Sequence, residues 1–129
     1  GVLLNPGFGV SAGWAYGQFN GQSSATDLTM PSILQALGKR NLTLLADVMV
    51  NDLQPGVAMA YPVIHQLQEA LCTVGALVTF MSGSGPTVGG IFPPTVDLPV
   101  TVASLHRHSA WAVIPFTTLS ESFHPELRC

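Results

Sequence analysis

Met81-Ser82-Gly83-Ser84-Gly85-Pro86-Thr87-Val88 is a run of small residues between two apolar stretches, residues 76–81 and 87–92. The flanks carry Val, Phe, Ile and Thr, so the segment reads as two strands joined by a glycine loop. Glycines let backbone N–H groups turn outward together and let another chain or a phosphate come close. The loop is not a lysine-bearing phosphate loop, because Lys39 is the only lysine in the chain. Nor does it fit the dinucleotide fingerprint, since Pro86 and a strand follow its glycines where that motif needs a helix. Two readings stay open for it: a tight hairpin connection, or a backbone surface that closes on phosphates and polar groups.

Working outward, residues 2–4 form a short strand that ends at Asn5-Pro6-Gly7. Residues 11–19 suit a helix capped by Ser11, and residues 20–26 form a polar loop. A helix is expected from Met30 or Pro31 to Leu37, stopped by Gly38. Asn41 is a fitting N-cap for the next one. Leu42, Leu45, Val48, Met49 and Leu53 give it helical spacing, and Pro55-Gly56 ends it. Tyr61-Pro62 opens another, with Val63, Ile64, Leu67, Ala70 and Leu71 on one stripe and Gly75 just past its end. After the hairpin, Pro93-Pro94 and Pro99 break the chain, and residues 100–108 form a short helix. Residues 111–118 read as a last strand, which Pro115 confines to an edge or a bulge. The chain from residue 120 is expected to be a frayed tail outside the domain of residues 1–119. Strands separated by helices, with one hairpin inside, predict an α+β sandwich: a small, mainly antiparallel sheet with helices on one face.

Composition narrows the function. The chain has 129 residues, 9% of them charged, with four basic residues and a net charge of −3. Counterion-release binding of nucleic acid needs clustered Lys and Arg, and four scattered cations exclude it as a main role. Charge is usually ~25% of a globular domain. With 47% hydrophobic residues and a mean hydropathy of +0.42, one face is expected to be covered by a partner. No apolar run reaches the ~18 residues of a membrane span, and no membrane partner is expected. The opening Gly1-Val2-Leu3-Leu4 is already apolar, as in a chain entered in mid-strand. Cys72 and the terminal Cys129 read as free thiols.

Several polar groups could carry chemistry. His106-x-His108 could chelate a metal, but no acidic or thiol ligand lies nearby in sequence, and a solvated helix end is the expected reading. His65 falls on a helix and His124 in the tail. Ser84, His65 and Asp52 make a triad on paper only, since the flanks of Ser84 form no nucleophile elbow. Asn51-Asp52 either binds a metal or acts as a base, or hydrogen-bonds a helix end and neighbouring loops; the second is favoured. Trp14 and Tyr16 are core or interface residues, or one of them is a platform for a planar base.

Asn5-Pro6-Gly7-Phe8-Gly9-Val10-Ser11-Ala12-Gly13-Trp14-Ala15-Tyr16 resembles the strand–turn–helix that opens the C-terminal domain of the 4-diphosphocytidyl-2-C-methyl-D-erythritol kinases, within the GHMP superfamily. Asn51-Asp52-Leu53, Tyr61-Pro62-Val63-Ile64 and the glycine loop agree in order and spacing. The resemblance implies a ferredoxin-like domain and transfer of the γ-phosphoryl of ATP, with Mg²⁺, to the C2 hydroxyl of a cytidine-diphosphate-linked methylerythritol. It places such an enzyme in isoprenoid biosynthesis, in bacterial cytoplasm or plastid stroma. It implies that Tyr16 stacks on the cytosine ring, and that Gly83, Ser84, Gly85, Pro86 and Thr87 border the cleft near the phosphates. It also implies that the ATP loop and catalytic residues lie in an N-terminal kinase domain, the expected partner, leaving this chain without catalytic or metal residues and inactive alone. Gln54 stands where the family has Glu, Gly89 where it has an aromatic, and Ala12-Gly13 where Thr is commoner. Alternatives are a non-catalytic binding module of the same descent and a GHMP kinase with another acceptor.

Overall fold

The computed structural model describes residues 1–21, 30–108 and 110–119. Most of the expected polar loop at residues 20–26, the tail from Glu121, His124 and Cys129 lie outside them. Four strands and six helices are described, in the order β1 (Val2–Asn5), α1 (Ala12–Gly17), α2 (Met30–Gly38), α3 (Leu42–Val48), α4 (Gln54–Ala60), α5 (Val63–Thr73), β2 (Val78–Met81), β3 (Val88–Ile91), α6 (Leu98–His108) and β4 (Ala112–Pro115).

The sheet order is β2-β3-β1-β4, and every neighbouring pair is antiparallel. It follows that β1 runs parallel to β2 with β3 between them, and β3 parallel to β4 with β1 between them. Two interleaved βαβ units of this kind are the ferredoxin-like arrangement. Register explains the core. Leu4 pairs with Val88 on one side and Val113 on the other, and Val88 pairs with Met81. Directly opposed residues share a face, and these four are buried with Ile64, Leu67 and Leu71 of α5 and Leu105 of α6. The opposite face carries Leu3, Gly89, Phe80 and Ile114 in one row, and Ile114 is 51% exposed. The α2 and α3 helices pack on each other, and α3 reaches β2.

Local signals worked where a side chain or glycine closes a helix end. Ser11 accepts from the Trp14 N–H at 3.3 Å, and Asn41 from Thr43 and Leu44 at 2.9 and 3.2 Å. Gly75, at φ +105°, ends α5: its N–H reaches the Cys72 carbonyl and the Ala76 N–H the Leu71 carbonyl, both at 3.0 Å, the two bonds of a Schellman cap.

Three boundaries differ from the sequence reading. The helix expected from Asn41 through Leu53 is two helices, because Asn51 accepts the Leu53 N–H at 3.0 Å and diverts the backbone from the α3 ladder. Pro55 therefore lies in the first turn of α4, where its missing N–H costs nothing, and does not end a helix. Pro99 likewise sits inside α6, which starts earlier than expected because Asp97 Oδ1 accepts the Val100 N–H at 3.1 Å. By contrast α2 ends at Gly38, the expected stop, and Arg40, at φ +50°, turns the chain toward α3. The last strand is shorter than expected, ends at Pro115 and lies at the sheet edge.

Candidate functional site

The two segments that carry the resemblance lie side by side. Pairing of Leu4 with Val88 brings the exit of β1 against the glycine loop, and polar bonds tie them. Asn5 Nδ2 donates to Thr87 Oγ1 at 2.8 Å, while Asn5 Oδ1 accepts the Gly7 N–H at 2.7 Å. The Ser84 hydroxyl donates to the Val10 carbonyl at 3.1 Å. From the other side, Asn51 Nδ2 donates to the Met81 carbonyl at 2.8 Å and the Gly83 carbonyl at 2.7 Å. Of the two readings of Asn51-Asp52, bonding to a neighbouring loop is the one the Asn51 geometry shows.

Tyr16 and Gly83 line one cavity of about 650 Å³, with Phe19, Met49, Leu53 and Phe80 among its apolar walls and Asn51, Asp52 and Ser82 among its polar ones. That volume suits a drug-sized or nucleotide-sized ligand, for which pockets of about 300–1,000 Å³ are usual. Tyr16 is 67% exposed. Trp14, the other candidate platform, is engaged: its ring meets Tyr61 edge-on at 5.4 Å between centroids, and Tyr61 also meets Phe8 at 5.4 Å. This cluster fixes the start of α1 and leaves Tyr16 as the aromatic of that helix facing the cavity.

The remaining loop residues are placed differently. Ser84 and Thr87 turn toward the β1 exit and Pro86 is buried, so within this chain the loop contributes Ser82 and Gly83 to the cavity wall. Ser84, His65 and Asp52 form no triad: the Ser84 hydroxyl is spent on Val10 and His65 is exposed on α5. His106 is exposed. Among the described residues no group of three or more His, Cys, Asp or Glu is placed to hold a metal, and no described helix is long and apolar enough to cross a membrane. Cys72 is an exposed free thiol. The walls Phe19, Met49 and Phe80 were not legible as site residues, because each also fits an ordinary core pattern. Asn5 did carry a signal, since Asn-Pro-Gly is an Asx-turn sequence.

Residues 33–107 match the family model described as GHMP kinases C terminal. This chain belongs to the GHMP kinase C-terminal family. The GHMP domain is similar to 4-diphosphocytidyl-2-C-methyl-D-erythritol kinases: 41% identical over 90 residues to that of Synechococcus sp. (strain JA-3-3Ab), covering 64% of this chain and 29% of the relative. It is 32% identical over 124 residues to that of Geobacter metallireducens, covering 92% of this chain and 40% of the relative. The GHMP domain thus spans well under half the length of these curated relatives. A crystal structure of 4-(cytidine 5'-diphospho)-2C-methyl-D-erythritol kinase matches the fold with a TM-score of 0.67 at 19% identity, over 87% of this chain and 40% of that one.

Proposed function

We propose that this domain forms the substrate-side wall of an ATP-dependent kinase that phosphorylates the C2 hydroxyl of 4-diphosphocytidyl-2-C-methyl-D-erythritol. The observation that carries the reading is the shared cavity of Tyr16 and Gly83. A ligand with a flat base at one end and phosphates at the other can touch both. Tyr16 offers its ring to the cytosine, and base–aromatic stacking contributes about 1–3 kcal/mol. The glycine loop offers backbone to the polar end of the ligand. The apolar side chains of Phe19, Met49 and Phe80 line the space between the two ends.

ATP and Mg²⁺ are implied by such a reaction, and the donor set described here does not fit them. The loop has no lysine, and no acidic cluster is placed for a cation among the described residues. Phosphoryl transfer works by positioning and charge stabilisation of the transferred group. Those groups belong to the rest of the kinase, and no transfer step is assigned to residues of this chain. Its own contribution is to bind and orient the acceptor.

The test is a titration of the 129-residue chain with cytidine, followed in ¹H–¹⁵N spectra. Shifts centred on Tyr16, Phe19 and Ser82–Gly83 that vanish in Tyr16→Ala support the reading. Shifts elsewhere, or equal shifts with adenosine, overturn it in favour of a binding module of other specificity.

A further inference from the structure

We infer that the Phe80 ring sets the width of the cavity that Tyr16 borders, and that Gly89 is the positioning residue that lets the ring lie back from it. The inference rests on the proposed function for the identity of the ligand, and on geometry for the two roles.

β3 carries two glycines in succession, and their bare positions serve opposite faces of the sheet. At Gly90 a Cβ would come within 3.1 Å of Leu71 Cδ2 on α5 and 3.3 Å of the Ala76 Cβ. Gly89 faces the other way and is the direct partner of Phe80 in β2. The Phe80 ring fills the place of the missing side chain: a Cβ at Gly89 would overlap its Cζ, Cε1 and Cε2. A glycine inside a strand marks this kind of close approach. The same ring is a wall of the cavity. The other walls are Tyr16, Phe19 and residues 49–53 and 81–83, so the cavity lies on the outer side of β2, away from β3. The ring thus has β3 on one side and the cavity on the other. The strand itself is held. Met81, the next residue, pairs with Val88; its N–H donates to Gln54 Oε1 at 3.3 Å, and its carbonyl accepts from Asn51 Nδ2 at 2.8 Å. A side chain at 89 therefore displaces the ring and not the strand, and the open direction is into the cavity.

The test compares wild type, Gly89→Ala, Phe80→Leu and the double variant, all as the 129-residue chain. Cytidine affinity is measured on each, and nuclear Overhauser contacts from the residue 80 side chain to the Met49 methyl group report its position without ligand. In Gly89→Ala the expected result is stronger ring contacts to Met49 and a cytidine affinity lower by roughly fivefold or more. In the Phe80→Leu background, adding Gly89→Ala should change the affinity by less than about twofold. A merely structural Gly89 would lower the unfolding midpoint and leave the affinity of the folded chain unchanged, which overturns the positioning role. A loss that persists in full without the ring overturns it as well. Phe80→Trp tests the wall with Gly89 in place: the larger ring should cost roughly fivefold or more in cytidine affinity, and an affinity within about twofold of wild type overturns the role of Phe80. A wild-type chain that binds no cytidine overturns the proposed function instead, and the ring contacts alone then decide whether Gly89 holds the ring back.

Discussion

The ring of Phe80 in β2 lies across Gly89, its direct partner in β3, and a Cβ added at Gly89 would run into that ring. The aromatic that the family resemblance led us to expect at residue 89 is supplied from the neighbouring strand. The hairpin is filled, not hollowed, by the glycine. Gly89→Ala should destabilise by about 1–3 kcal/mol through overpacking, and Gly89→Phe by more. Replacing Phe80 with Gly in the Gly89→Phe background should recover most of the loss. Denaturant unfolding of wild type, Phe80→Gly, Gly89→Phe and the double variant gives the cycle; a Gly89→Phe chain as stable as wild type would show that the ring moves aside freely.

Gln54 covers the free edge of β2. Its Oε1 accepts the Met81 N–H at 3.3 Å, its Nε2 donates to Gln68 at 3.2 Å, and Gln68 donates to Thr79 Oγ1 at 3.4 Å. A carboxylate at 54 could accept from Met81 and, once the Gln68 amide turns over, from Gln68 as well. Gln54→Glu is therefore expected to change stability by less than about 1 kcal/mol, whereas Gln54→Leu strands two partly buried partners at a cost of about 1–3 kcal/mol. Equal unfolding midpoints for Gln54→Leu and wild type would contradict this.

Asn41 caps α3 with two bonds, and the helix has seven residues and no buried side chain. Its stability leans on the cap more than on packing. Asn41→Ala should cost about 1 kcal/mol, visible as faster exchange of the α3 amides before global unfolding. Protection that stays at the wild-type level would assign α3's stability to its contact with α2.

Features written in one or two residues were readable from the sequence. Asn41, Ser11, Gly75 and the hairpin strands all stand where their chemistry placed them, and the short strand expected at residues 2–4 is β1. Boundaries set by a side chain choosing between two backbone partners were not. Asn51 and Asp97 each redirect one N–H, and that choice moves a helix end by several residues while the apolar spacing stays the same. The candidate site was readable at its two ends, Tyr16 and Gly83, through their flanking motifs. Its walls come from α3, the loop after it and β2, elements distant in sequence whose meeting depends on the sheet order.

The central claim, that this chain supplies the acceptor side of a kinase, is tested most directly by placing it within a full-length relative. Residues 1–129 would replace the matching segment of the Synechococcus sp. (strain JA-3-3Ab) relative, and ATP-dependent phosphorylation of 4-diphosphocytidyl-2-C-methyl-D-erythritol would be followed. The expected result is transfer by the hybrid, with Tyr16→Ala raising KM for the cytidyl substrate roughly 5- to 150-fold, the range that about 1–3 kcal/mol of stacking implies, and KM for ATP within twofold. A folded hybrid that binds ATP but leaves this substrate unphosphorylated would contradict the account.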